Sequence, residues 1–526
     1  MRCLPGILLC AALCLPVARP ALAGDVTLMS RDGAVEIGGH LLDFDGGTYR
    51  LDTIYGPLAV NADAVTCKGA ACPGAEARVA RFALSGTPAL GAVAMPALIE
   101  GFAAARGMTV ERAADGRRGL FRLRDPDDGT LRAEIALTTG STGEGFADLL
   151  TGGADIAMAD RAILPEEVAH GREAGLGDLS ASHRRRLIAL DAIVPVVAPD
   201  PRMGDPGRGL TLETLRGLLT GEIVDWSRIG GAEAPVTPHL PRPGAGLGRT
   251  PEARLLEGQA PGSSARQHAD AAAVSGAVAA DPMGVGLTRL SALGGAVQVP
   301  LAAGCGTRLL ASRQGIKTGD YPFVVPLFLY LGAPQLPSLA GAFLDYLATP
   351  AAQIAMRRAG FADLMREEIP LARQGDRLAL AIAEAAPGSG LAELQRMMSV
   401  LRGAVRLTET VRPGPETDEA LSQSGIEALA RALEAGTFDG HTLILAGFAD
   451  GGDGPDADRA LARKDAEAVR DALRAAATAA DFGRVRLEVV AFGALLPLAC
   501  TGGLPEDRLP EAMAHRLNRR VEIWLR

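Results

Sequence analysis

Long apolar runs are missing from this 526-residue chain once its first 23 residues are set aside. No later run reaches the roughly 18–20 residues that a helix needs to cross a bilayer. Basic runs are missing too. The chain carries 53 Lys and Arg against 62 Asp and Glu, a formal charge of −9. The triplet Arg184-Arg185-Arg186 is its one basic cluster of note and reads as a solvated helix face. An acidic chain without a basic stripe excludes nucleic acid as a partner. The seven histidines stand singly, none at ligand spacing with another histidine or a cysteine, so no metal site is expected. No nucleophile, histidine and carboxylate fall at recognisable spacing, and "GAGLGRT" has the glycines of a phosphate loop without its lysine. Neither an enzyme nor a bound cofactor is expected.

What is present begins with "MRCLPGILLCAALCLPVARPALA", residues 1–23: a positive start, a short apolar core and an Ala-Leu-Ala site. This is the pattern of a secretory signal cleaved before Gly24. Cys10 and Cys14 both follow leucine, which argues against a lipid anchor. Cleavage removes Arg2 and Arg19 and no acid, so −9 becomes −11. Four cysteines remain for an oxidising compartment. Cys67 and Cys72, in "TCKGAACP", are close enough for a local disulfide. Cys305 is left by elimination as a partner for Cys500, although sequence alone does not fix connectivity.

A chain of this length exceeds one hydrophobic core and divides into several domains. Residues 24–78 read as short strands punctuated by Asp-Gly and Gly-Gly turns, a small β domain closed by the Cys67–Cys72 loop. Residues 79–375 alternate strand and helix signals, which predicts an α/β fold with mostly parallel sheets. Within it "PALIEGFAAARG", "EGFADLLTGG" and "TLETLRGLLTG" read as helices, the last with Thr211 as N-cap. "LRAEIAL", "ADIAMA" and "LIALDAIVPVVAPD" read as strands. Residues 376–404, Pro- and Gly-punctuated near Ala385–Gly390, read as a linker, and 405–526 as a second α/β unit.

The segment "TTGSTGEGFADLLTGGADIAMADRA", Thr138–Ala162, runs from a strand through a Gly- and hydroxyl-rich turn into a helix. Free backbone N–H groups at a positive helix end, with serine and threonine beside them, favour an anion. Asp160 fits a ligand that carries a proton, as a monoprotonated oxyanion does. Downstream, "LIALDAIVPVVAPD" and "LTLETLRGLLTGEIVDWSRIGG" follow in order, then "AAVSGAVAADPMGVGLTRL" and "GDYPFVVPLFLYL". Together these motifs resemble the phosphate-binding family of periplasmic solute receptors over roughly residues 82–365. The resemblance implies a two-lobed periplasmic-binding-protein type II fold that closes like a hinge on its ligand. It implies an anion site of Ser85, Gly86, Thr87, Ser141, Thr142 and Asp160 with the guanidinium of Arg242. One departure stands out. Gly246-Leu247-Gly248 replaces the family's Ser-Gly-Thr, and each hydroxyl donor lost to a buried oxyanion costs about 1–3 kcal/mol.

At the other end, "LILAGFADGGDGPDADRALARKDAEAVRDAL" followed by "LNRRVEIWLR" resembles the OmpA-like peptidoglycan-associated domain, an α+β fold. The resemblance implies peptidoglycan as a partner, with Asp450, Arg519 and Arg520 as binding residues. The family's helix arginine falls on Asp465, a carboxylate where a carboxylate is bound. Two functions are therefore expected in competition. One is a periplasmic receptor for a small oxyanion, phosphate first, held near the cell wall and serving an ABC permease. The other is an envelope scaffold whose anion and peptidoglycan sites have decayed and which binds another envelope protein.

Overall fold

The structure is a computed structural model and describes residues 24–526 apart from 31–32, 45, 75–78, 243–254, 333–335, 386–388, 414–415, 453 and 502–507. The expected signal segment and the triplet Gly246-Leu247-Gly248 lie outside the described residues. Five antiparallel strands open the fold: Gly24–Ser30, Glu36–Phe44, Thr48–Thr53, Gly56–Asn61 and Val65–Lys68. The first sits between the second and the fifth. Alternation along the strands sends Val26, Leu28, Leu41, Tyr49 and Leu51 to one small core, as a half-buried sheet requires. Cys67 and Cys72 are bonded, as expected.

Beyond residue 79 the first lobe holds β1 (Ala80–Gly86), α1 (Met95–Ala105), β2 (Leu131–Thr139), α2 (Thr142–Thr151) and β3 (Ile156–Ala159). β1 pairs in parallel with both β2 and β3. A long strand follows, β4 (Arg185–Val197), buried along almost its whole length. The second lobe is built on β5 (Thr237–Pro241), β6 (Arg266–His268) and β7 (Gly284–Arg289), with β5 parallel to both neighbours. β8 (Val324–Leu331) then returns to the first lobe beside β3. Arg185–Ala192 of β4 pair with β8, and Ile193–Val197 pair with β7. One strand thus belongs to both lobes and joins them.

The sheet is mixed, not mostly parallel. β4 and β8 run antiparallel to their neighbours because they carry the chain across and back. A hairpin, Thr109–Asp115 with Arg118–Arg124, adds another antiparallel edge around the Asp115-Gly116 turn. The arginine triplet is not a solvated helix face either. Arg184 and Arg185 are buried at the start of β4 and only Arg186 is exposed. Arg184 donates to the carbonyls of Leu176, Leu331 and Gly332. Arg185 lies over Phe328 and donates to Gln423. Thr211 does cap its helix, accepting from the Thr214 amide at 3.1 Å.

The expected linker is largely helical. α3 (Gly375–Glu384) and α4 (Ser389–Val400) place Ala381, Leu394 and Met397 against Ile444, Phe448 and Trp524. Burying apolar side chains on a sheet face makes this stretch part of the C-terminal unit. That unit continues through β9 (Val405–Val411), α5 (Glu416–Glu434), β10 (Thr442–Phe448), α6 (Pro455–Ala476), β11 (Arg486–Ala491), α7 (Glu511–Asn518) and β12 (Arg520–Leu525). β12 lies between β9 and β10, antiparallel to both, and β11 is parallel to β10. The unit is fastened to the preceding lobes. Cys305 is bonded to Cys500, Arg406 forms a two-pronged ion pair with Asp320 at 2.7 and 2.9 Å, and Ala420 of α5 packs with Phe146, Phe328 and Tyr330.

Candidate functional site

Parallel strands deliver their following loops to one edge, and open α/β sheets take ligands there. After β1, Ser85-Gly86-Thr87 form a tight turn. Ser85 is buried and its Oγ donates to Asp148 Oδ2 of α2 at 2.5 Å. Gly86 has φ of +139°, and a Cβ there would stand 2.0 Å from the Met158 carbonyl oxygen. The Thr87 amide donates to that same oxygen at 3.0 Å. The backbone of this turn is therefore locked against β3, and the Ser85 hydroxyl is spent inside the lobe.

After β2, Ser141 caps α2. Its Oγ accepts from the Glu144 amide at 3.1 Å, and Glu144 Oε2 accepts from the Ser141 amide at 2.5 Å. This capping box places the protein's own carboxylate on the helix end. Glu144 is held below the ordinary carboxylate range, first by the Ser141 amide and also by Arg117, which pairs with it at 3.1 Å. Thr142 comes next and is buried. Its Oγ1 donates to Asp160 Oδ1 at 2.7 Å and accepts from the Asp160 amide at 3.1 Å.

Asp160 follows the carboxyl end of β3, and its other oxygen meets the second lobe. Arg289, the last residue of β7, donates to Asp160 Oδ2 at 2.9 Å. The pair is mostly buried, with 9% and 15% of the two side chains exposed. Beside Arg289 lies Asp191 of β4, fully buried and accepting from the Ser291 Oγ at 2.6 Å. Burial pushes its carboxyl up, against the opposing pull of Arg289. Arg242 follows β5 at the same edge. Its amide donates to the His268 carbonyl at 2.7 Å, and its exposed guanidinium has no partner among the described residues.

The family model described as a PBP superfamily domain matches residues 75–351. The chain belongs to the PBP superfamily. Among solved structures it is similar to an ABC-type phosphate transport receptor from Vibrio cholerae, at 17% identity over 53% of this chain and 98% of that one, with a TM-score of 0.38. It is also similar to PstS from Borrelia burgdorferi, at 15% identity over 54% and 98%, TM-score 0.36. A third is a phosphate binding protein from Stenotrophomonas maltophilia, at 12% identity over 54% and 91%, TM-score 0.34. No curated protein matches the chain.

Within the PBP domain the structure brings Ser141, Thr142 and Asp160 together on the first lobe and sets Arg242 on the second. Sequence reasoning missed Arg289, although it stands in the "GVGLTRL" motif. It also missed a histidine pair. His239 Nδ1 and His268 Nε2 are 2.9 Å apart, and His239 Nε2 stands 3.1 Å from Asp281 Oδ2. These histidines are 29 residues apart in sequence and meet only because β5 and β6 lie side by side. Spacing along the chain carries no trace of that. No group of three or more metal-ligating side chains occurs among the described residues, and none of their helices is long and apolar enough to cross a membrane.

Outside the PBP domain, the C-terminal candidates separate. Arg520 is fully buried, donates to the Asn518 and Leu496 carbonyls and to Glu522, and lies 4.4 Å over the Phe448 ring. It is a core residue, which corrects its reading as a peptidoglycan ligand. Arg519 stays partly exposed but makes a two-pronged pair with Asp465 at 2.7 and 2.9 Å. Asp465 thus holds the remaining arginine in place. Asp450 follows β10 and lies 3.3 Å from His515 Nδ1.

Proposed function

We propose that the chain is a receptor for a small oxyanion, phosphate first, exported to the periplasm and delivering its ligand to an ABC permease. The observation that supports it most is the meeting of Thr142, Asp160 and Arg289 across the two lobes, with Arg242 exposed at the same edge. A guanidinium offers paired donors to an oxyanion. A carboxylate has about four acceptor positions, so Asp160 keeps capacity for a ligand proton after Thr142 and Arg289 are served. The site residues are Ser141, Thr142, Asp160, Arg242 and Arg289, around a turn shaped by Ser85, Gly86 and Thr87. In this reading residues 24–78 are an appended β module, 79–375 the two-lobed receptor, and the C-terminal unit an OmpA-like module that reaches peptidoglycan through Asp450 and Arg519.

One observation favours the second reading, an envelope scaffold. Asp160–Arg289 and Asp465–Arg519 are both internally satisfied pairs at the expected ligand positions. Calorimetry of the chain lacking residues 1–23, titrated with phosphate, sulfate and molybdate, separates the two. The receptor reading expects saturable heat for at least one anion and its loss in both Arg242→Ala and Arg289→Ala. Absence of heat for every anion leaves the scaffold.

A further inference from the structure

A cavity of about 860 Å³ lies between the strands that cross the lobes and the C-terminal unit, and none of the anion-site residues lines it. That is the size of a small-molecule site, and such sites favour the seams between folded units. β4, β8 and the helix Ser338–Leu347 supply one side of it, and β9 and α5 supply the other. Leu187, Val324, Leu344 and Leu421 give it an apolar wall, and each is only partly buried. α5 also contributes Gly425 to this wall. Glycine in mid-helix is disfavoured against alanine, yet a Cβ added to Gly425 would meet nothing within 4 Å. The helix therefore leaves open space where any other side chain would stand.

Glu427 of α5 lines the same cavity. Its carboxylate has no hydrogen-bond or ion-pair partner among the described residues, and its Oε1 is closed off from solvent. A carboxylate drawn into a partly apolar enclosure without a counter-charge is costly. The cations of the wall are committed elsewhere. Arg185 donates to Gln423, Arg366 pairs with Glu409 at 2.6 Å, and Lys317 pairs with Asp363 and Glu367. Arg412 holds Asp320 and the Thr318 carbonyl, and Arg516 donates to the Pro322 carbonyl. Arg431, four residues further along α5, is exposed. We propose that this cavity binds an organic cation, a primary ammonium on a short aliphatic body. The ammonium sits on Glu427 and the body lies against Leu187, Val324, Leu344 and Leu421. An ammonium brings three donors and no acceptor, and its bonds to a carboxylate are charge-assisted. The site is separate from the anion site and does not depend on the receptor reading.

The test uses the whole chain lacking residues 1–23, with calorimetry at pH 7 against hexylammonium and its neutral and anionic counterparts, hexanol and hexanoate. Saturable heat is expected for hexylammonium alone. Glu427→Gln keeps the shape and removes the charge, and should weaken hexylammonium at least about ten-fold. Gly425→Leu fills the open space and should abolish binding, while melting no lower than wild type because the helix gains a better former. Binding of phosphate should be the same in both variants as in wild type. Hexanol or hexanoate binding as tightly as hexylammonium overturns the inference, as does hexylammonium binding that neither variant alters. Absence of heat for hexylammonium overturns it as well.

Discussion

At Gly86 the constraint is geometric and owes nothing to a ligand. Its φ of +139° and the Met158 carbonyl 2.0 Å from a built Cβ leave no room for any side chain. Gly86→Ala is expected to cost more than about 3 kcal/mol, since backbone rather than a flexible side chain must yield. Urea denaturation should show a lower midpoint at unchanged slope. Ser85, the residue before the end of β1, behaves as a structural residue as well. Its hydroxyl ties β1 to Asp148 of α2. Thr142 is different, because it serves Asp160 twice and so fixes the carboxylate that meets Arg289. Residues adjacent in the same motif thus divide between building the turn and presenting the site.

The end of α2 is where an element's own chemistry bears on binding. Its amides and dipole invite an anion, yet Glu144 already stands there with Arg117 beside it. Glu144→Gln removes the resident charge. Stability should fall by about 0.3–1 kcal/mol, and affinity for a small oxyanion should rise by about two- to five-fold, read by thermal melting and calorimetry on one preparation. The helices and strands around this end were legible in the sequence because their apolar spacing and glycine stops are local signals, as Gly152 in its left-handed conformation shows. The capping box went unread, although Ser141 and Glu144 stand three apart. Pairings between elements were not legible. Arg289 meets Asp160 across 129 positions and His239 meets His268 across 29, and only the sheet order brings them together. The arginine triplet misled for a related reason. Charge suggests solvent, but Arg184 finds three carbonyls beside the start of β4 and is buried among them.

At the scale of the molecule, the C-terminal unit is clasped rather than strung to the two lobes. Burial pushes the carboxyls of Asp320 and Glu522 up, but Arg406, Arg377 and their arginine neighbours outweigh it. Asp320 is held well below the ordinary range and Glu522 is brought down to about 2. Both folded values lie below the unfolded values of about 4. The stability these groups supply is therefore present above about pH 5 and is lost as pH falls from about 4 toward 2. Asp320→Asn should cost about 3 kcal/mol at pH 7, because it strips buried arginines of their counter-charge. The same variant should lose less than wild type on acidification, measured by urea unfolding at pH 7 and pH 3. The clasp has a covalent member, and its pairing bears on how the chain is made. Cys67 joins Cys72 and Cys305 joins Cys500, so each bond links a cysteine to the next one after residue 23. A chain oxidised in the order in which it emerges reaches the native pattern directly: the first pair closes early, and Cys305 waits for the last cysteine. Correct pairing then needs no reshuffling of bonds, only that Cys305 stay reduced until most of the C-terminal unit has followed it out.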